Sequence, residues 1–415
     1  MNSTPAGPAA TTRDEGERVL DGIALWDGEA SRGRSTLRWR GDRIEAVEAS
    51  TTVDPALVGL SVIPGLVDTH VHLGYPAVPF RGEASAWLIV TPPEERSLHV
   101  AANALSCARN GVTTVRDLAA DSIQMSVARA FDAGVLDGPR LLAHGQVAMT
   151  AGHGDLFIPR HYRDRDPVAD SPDECRKLVR QWAREGADGV KIYTSGGVLS
   201  VGDRVGWRNQ TIEEIRTTID EAHALNLLVA AHTHTAEGVD IALAEGVDSI
   251  EHGTGIEERH WQQLVERDVP VAPTLLINDM IADGHAGVGA EAQQKAVEVV
   301  ERRDRGFGPA GRAGVRFVLG TDANGQFVRF GDQMTEARAM AAMFGWDAER
   351  TLRAATSDAA DAVRIGGTVG RLREGHGSDF VVMRGEPWTR IGDLDVDNIV
   401  AVVSRGRVIA GELPR

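Results

Sequence analysis

Strand-like and helical runs alternate eight times over residues 64–365, and that alternation predicts a (β/α)8 TIM barrel. Shorter β-rich runs at 18–63 and 366–415 flank it and predict one small β-sandwich domain built from both termini, an α/β architecture overall. A third observation is polar. Histidines, a lysine and an aspartate recur where apolar runs end in Gly- or Thr-rich turns, the position of the functional face of such a barrel. The first 17 residues, MNSTPAGPAATTRDEGE, read as a disordered tail without the apolar core of a signal peptide.

In order, RVLDGIALWDG, STLRWRGDRIEAVEAS and LVGLSVIP are strand-like and broken by Gly and Asp. Val62–Gly74, VIPGLVDTHVHLG, turns at Pro64-Gly65 into barrel strand 1. PPEERSLHVAANALSCARN has a Pro start and an apolar face at helical spacing. VTTVRDLAA is strand 2 and SIQMSVARAFDAG a helix; RLLAHGQVA is strand 3, followed by a long loop to Pro172. PDECRKLVRQWAREGA is a helix and DGVKIYTSGG strand 4. TIEEIRTTIDEAHALN is a helix opened by a capping box, Thr211 with Glu214. LLVAAHTHT, DSIEHGTG, VPVAPTLLI and VRFVLGTDANG are strands 5 to 8, each with a helical run after it. GTVGRLREGH, DFVVMRG and NIVAVVSRGRVIAGE return to short β-structure.

Composition narrows the function. A net charge of −16 disfavours nucleic acid, whose phosphates want a basic surface. No apolar run is long enough to span a bilayer. Two cysteines, Cys107 and Cys175, indicate no disulfide framework, and the cytoplasm is the default expectation. A small-molecule substrate is expected, and a homo-oligomer is left open.

His70 and His72 lie two apart on one strand, so their imidazoles share a face and suit zinc. Strand 4 carries Lys191, strand 5 His232 and His234, strand 6 His252 and strand 8 Asp322. That set at one barrel mouth suits a two-metal site. Spacing does not choose between His232 and His234. Tyr193 shares a face with Lys191, where it either donates to a substrate oxygen or packs. His99, His223, His260 and His376 read as structural.

PGLVDTHVHLG, VKIYTSGG, AAHTH, SIEHG and LGTDA, in that order, resemble the amidohydrolase superfamily of metal-dependent hydrolases. With GVTTVRDL and GHGD (Gly152–Asp155), the resemblance is to its imidazolonepropionase-like and Xaa-Pro dipeptidase (prolidase-like) branch, over about residues 18–412. The resemblance implies that His70, His72 and Asp322 hold one divalent metal and His232 and His252 a second, zinc being expected. Lys191, carboxylated on its amine, would bridge them. It further implies that His144 and His153 lie near the substrate.

The activity expected is hydrolysis of an amide-type C–N bond in an N-acyl amino acid or dipeptide-like substrate. A metal-bridging hydroxide would attack, with Asp322 as proton carrier. The loop from Gly152 to Pro172 carries His153, Arg160, His161, Arg163 and Arg165, and is a candidate lid and carboxylate reader. Two rivals stand. One is a mononuclear deaminase, suggested by H-T-A-E at His234–Glu237, or a lactone or carbamate hydrolase of the same superfamily. The other is a catalytically silent barrel scaffold.

Overall fold

The computed structural model describes residues 16–78, 84–157, 161, 162, 165–285 and 287–414. Its strands are β1 Glu17–Trp26, β2 Ser31–Arg40, β3 Arg43–Ala49, β4 Leu60–Pro64, β5 Leu66–Val71, β6 Val112–Ala120, β7 Arg140–Gln146, β8 Gly189–Tyr193, β9 Leu228–Thr233, β10 Ser249–His252, β11 Val271–Ala272, β12 Phe380–Arg384, β13 Ile399–Ser404 and β14 Arg407–Gly411. They form two seven-stranded sheets, β5 to β11 in sequence order and β14-β13-β12-β4-β1-β2-β3.

The first sheet is the barrel. All its strand pairs are parallel. Helices cover its outside, so both faces of each strand are buried; every residue of β5, β8 and β9 is buried. Helix Pro172–Glu185 shows how the covering works. Cys175, Leu178, Val179 and Trp182 recur at helical spacing and face the sheet, Ser171 caps the start, and Gly186 ends it at φ 94°. The capping box of Thr211 and Glu214 is formed.

Two expected barrel strands are altered. Strand 7 is only Val271–Ala272, squeezed between Pro270 and Pro273, and Leu275–Ala282 is helix instead. Glu336 accepts the backbone N–H groups of Leu275 and Leu276 at 2.6 and 2.9 Å and so caps that helix. Strand 8 is not a continuous strand. The stretch 315–323 joins its neighbours by single bridges, Phe317 to Val271 and Ala323 to Val71, and these close the barrel. An apolar cluster of Val67, Leu142 and Val318 against helix Ser357–Ala362 fills one part of the interior.

The second sheet takes strands from both ends of the chain. Residue 17 already belongs to β1; residues 1–15 lie outside the described set. Gly367–His376, expected as β-structure, forms turns. The hydrogen bonding is that of one sheet, with β1–β4 its parallel pair. The sheet curls over its own core, so that Trp39 of β2 meets Phe380 of β12 edge to face at 5.0 Å. β4 runs into β5 through Gly65, where a Cβ would lie 2.1 Å from Thr113 Oγ1; only glycine fits that joint.

Candidate metal centre

The ends of the barrel strands bring two donor groups together. His70, His72 and Asp322 form one, and His232, His234 and His252 the other; within each, one ligand atom per residue lies within 4.8 Å of the others. His72 Nε2 is 3.0 Å and His70 Nε2 3.6 Å from Asp322 Oδ1. The rings of His70 and His252 are 5.0 Å apart, which links the two groups. Lys191, 2% exposed, opens onto the same cavity of about 170 Å³, and its amine makes no hydrogen bond or ion pair with the described residues.

Backbone strain aims two of these side chains. His252 has φ 63° and Asp322 φ 56°, left-handed values unusual outside glycine. In β10, regular alternation would put Glu251 and His252 on opposite faces. Glu251 is in register with His232 of β9 and shares its inward face. The reversal at His252 turns that ring inward as well.

The nitrogens left open are defined by bonds on the other side of each ring. His252 Nδ1 meets Thr274 Oγ1 at 2.8 Å, His234 Nδ1 meets Thr254 Oγ1 at 2.9 Å, and His232 Nε2 meets the Gly196 carbonyl at 3.2 Å. His70 Nδ1 is 2.8 Å from Glu251 Oε2. Glu251 is itself held by Arg116 Nη2 at 2.7 Å and Ser249 Oγ at 2.6 Å, all of it buried. Histidine, fixed from behind by a carboxylate or hydroxyl and presenting its other nitrogen, is how proteins orient metal ligands.

Electrostatics favour the ligand forms. Burial pushes His70 down to about 4 and His234 to about 3, and holds His232 and His252 well below the usual range, so the imidazoles are neutral. Burial lowers the Lys191 amine to about 8. Burial works to raise Asp322, but His70, His72 and Lys191 outweigh it and keep the carboxylate ionised. The donor set therefore fits divalent ions. Both His70 nitrogens are buried without a well-aligned hydrogen bond; Nε2, 3.6 Å from Asp322 Oδ1, is the one that such an ion would satisfy.

The other expected residues divide. His153 lines the cavity; its ring is 4.3 Å from that of His232, and its Nδ1 is 2.8 Å from Ser200 Oγ, which donates to Asp203 at 2.8 Å. Tyr193 lines the cavity and its hydroxyl is bonded to Gln146 Oε1. His144 is a correction. It is fully buried in β7 and does not line the cavity, so it contacts no substrate there. The expected carboxylate reader changes too. Arg165 is paired with Asp155 at 2.9 Å, His161 is exposed, and Arg160 and Arg163 lie outside the described residues. Glu237 sits in the first turn of helix Ala236–Glu245 and is not on the cavity wall, which removes the support for a deaminase.

A parallel barrel with two histidine-rich donor groups and a buried lysine at its strand ends is the framework of a metal-dependent hydrolase. The chain belongs to the amidohydrolase family, whose model matches residues 61–410, and it acts as a hydrolase of carbon–nitrogen bonds. It is 29% identical to the ochratoxinase of Aspergillus niger over 365 residues, 83% of this chain and 74% of that protein. It is 26% identical to the imidazolonepropionase of Deinococcus radiodurans, with 88% of each chain covered. A crystal structure of a Xaa-Pro dipeptidase with bound methionine superposes with a TM-score of 0.83 at 28% identity, covering 95% of this chain and 99% of that one. No helix among the described residues is long and apolar enough to cross a membrane.

Proposed function

We propose that this amidohydrolase holds two divalent metal ions, zinc by donor type, and cleaves the amide of an N-acyl amino acid or dipeptide-like substrate. The observation that carries the reading is a buried lysine without a partner, sharing one cavity with two separate donor groups. An ammonium there would be costly. A carbamate on Lys191 would supply anionic oxygen to both ions; His70, His72 and Asp322 would hold one ion, and His232 and His252 the other. The Xaa-Pro dipeptidase and ochratoxinase relatives support the choice of substrate.

Bound divalent ions supply Lewis acidity toward the scissile carbonyl and acidify water toward neutral pH. The chain's own residues do the rest. Asp322 takes the proton of the attacking water and returns it to the leaving amine. His153, braced by Ser200 and Asp203, presents its other nitrogen to the substrate, and Tyr193 with Gln146 shapes the adjoining wall. Arg96 is the arginine that the described residues place on the cavity wall; its Nη2 is 3.0 Å from Asp121 but its buried Nε has no hydrogen-bond partner, and this is the group that would read the product carboxylate.

The test joins metal analysis to a substrate panel. Zinc-loaded protein is expected to carry two metals per chain and a carboxylated Lys191 in a crystallographic map. Unmodified Lys191 in fully metallated protein defeats the bridge. Acid substrates are compared with their methyl esters: equal or better kcat/KM for the esters means that no carboxylate is read, and a carbamate, lactone or aryl amide becomes the substrate.

A further inference from the structure

The metal cavity opens into a second, larger one. Tyr75, Leu88, Phe157, Val198, Leu199 and Asn324 line both and form a neck between them. The inner space, about 170 Å³, is smaller than the roughly 300–1,000 Å³ that encloses a drug-sized ligand. The outer space is about 1270 Å³. Any substrate larger than an amino-acid amide therefore extends outward through the neck.

We propose that the outer chamber receives a bulky, uncharged N-acyl group, so that the substrate is an N-acyl amino acid with a long or aromatic acyl part and not a free dipeptide. This rests on the amide-hydrolase reading above and decides between its two substrate types. The outer wall carries Val201, Val288, Phe327, Phe330 and Met334. Its charged side chains are already paired: Glu291 with Lys295 at 3.0 Å, Arg329 with Asp332 at 2.8 Å and Arg338 with Asp395 at 3.0 Å. Each of these side chains is engaged, Glu291 by Lys295 from behind the wall, so the described wall offers a substrate charge no unengaged partner.

A substrate carboxylate seated there would find no open cation, and this sends the amino-acid end inward. A dipeptide's ammonium would then enter the outer chamber, shed water and find no open carboxylate. An alkyl or aryl acyl group loses nothing polar and buries apolar surface, worth roughly fourfold per fully buried methylene.

The experiment uses the full-length, metal-loaded protein and four leucine amides: N-acetyl-, N-octanoyl- and N-(2-naphthoyl)-L-leucine, and L-leucyl-L-leucine. N-octanoyl- and N-naphthoyl-leucine are expected to exceed both others by about tenfold or more in kcat/KM, chiefly through KM. A dipeptide turned over as well as the octanoyl compound, or N-acetyl-leucine matching it, overturns the proposal while leaving amide hydrolysis intact. Val201→Asp adds an anion to the outer wall and is expected to lower the octanoyl-to-dipeptide ratio about fivefold; an unchanged ratio counts against the chamber assignment. If none of the four is hydrolysed, the amide reading itself fails. Calorimetry then still reads the chamber: equal affinity for N-octanoyl- and N-acetyl-leucine overturns it.

Discussion

At the residue scale, the centre depends on side chains whose roles differ although they sit within one cavity. Asp322→Asn is expected to keep the fold, because the barrel core around it is made by Val318, Leu319 and Ala323. It should lower kcat about 10²- to 10⁴-fold, because an amide accepts no proton; turnover near native would remove Asp322 from the chemistry. Glu251 touches His70 and not the cavity, and acts as a positioning residue. Glu251→Gln weakens the acceptor behind His70 and disturbs its bond to Arg116. Metal affinity, read by competition with a chelator, is expected to fall about 10- to 100-fold. Unchanged affinity with a lowered melting temperature would make Glu251 purely structural. Sequence reasoning missed Glu251, although it stands beside His252. The period of two assigns neighbours to opposite faces, and only the left-handed turn at His252 lets both point inward. Arg116 lay inside the quoted GVTTVRDL motif; its partners Ser249 and Glu251 are more than 130 positions away, beyond the reach of any local pattern.

At the element scale, the barrel's weakest regular strand is its seventh, where prolines leave two paired residues. The helix Leu275–Ala282 that replaces its end lacks a side-chain cap of its own, and Thr274 before it sits at φ 47°. Glu336, from helix Gln333–Phe344, supplies the missing acceptors from outside. Glu336→Ala strands buried backbone N–H groups and is expected to destabilise the fold by about 1–3 kcal/mol, measured by urea denaturation with an unchanged m-value. A loss under about 0.5 kcal/mol would show that the helix start does not depend on this cap. Thr274 also holds His252 Nδ1, so the element and the centre share one residue. The run VPVAPTLLI reads as a strand because Val, Leu and Ile suit both states; the cap that tips it to helix arrives from 60 residues away.

At the scale of the whole molecule, two donor groups drawn from opposite sides of the barrel tie β5 and the 315–323 stretch to β9 and β10. Bound metal stabilises only the folded chain, since the unfolded chain has no such site. Dialysis against a chelator is expected to lower Tm, and zinc at about 100 times Kd to restore about 2.7 kcal/mol; a Tm indifferent to metal would mean that the centre forms no part of the fold's stability. The repeated β-α rhythm and the polar residues closing each apolar run were legible in the sequence, because strand period, helix period and turn residues are local properties. The PGLVDTHVHLG and LGTDA motifs pointed to His70, His72 and Asp322 for the same reason, and the fold brings one ligand atom of each within 4.8 Å of the others. Only the tertiary structure removed His144 from the substrate wall, by burying it wholly within β7, and only it assembled the Arg116–Glu251–His70 chain and the two-chambered cavity. Those depend on which distant strands are neighbours and on where two backbone residues reverse, and closure of the barrel decides both.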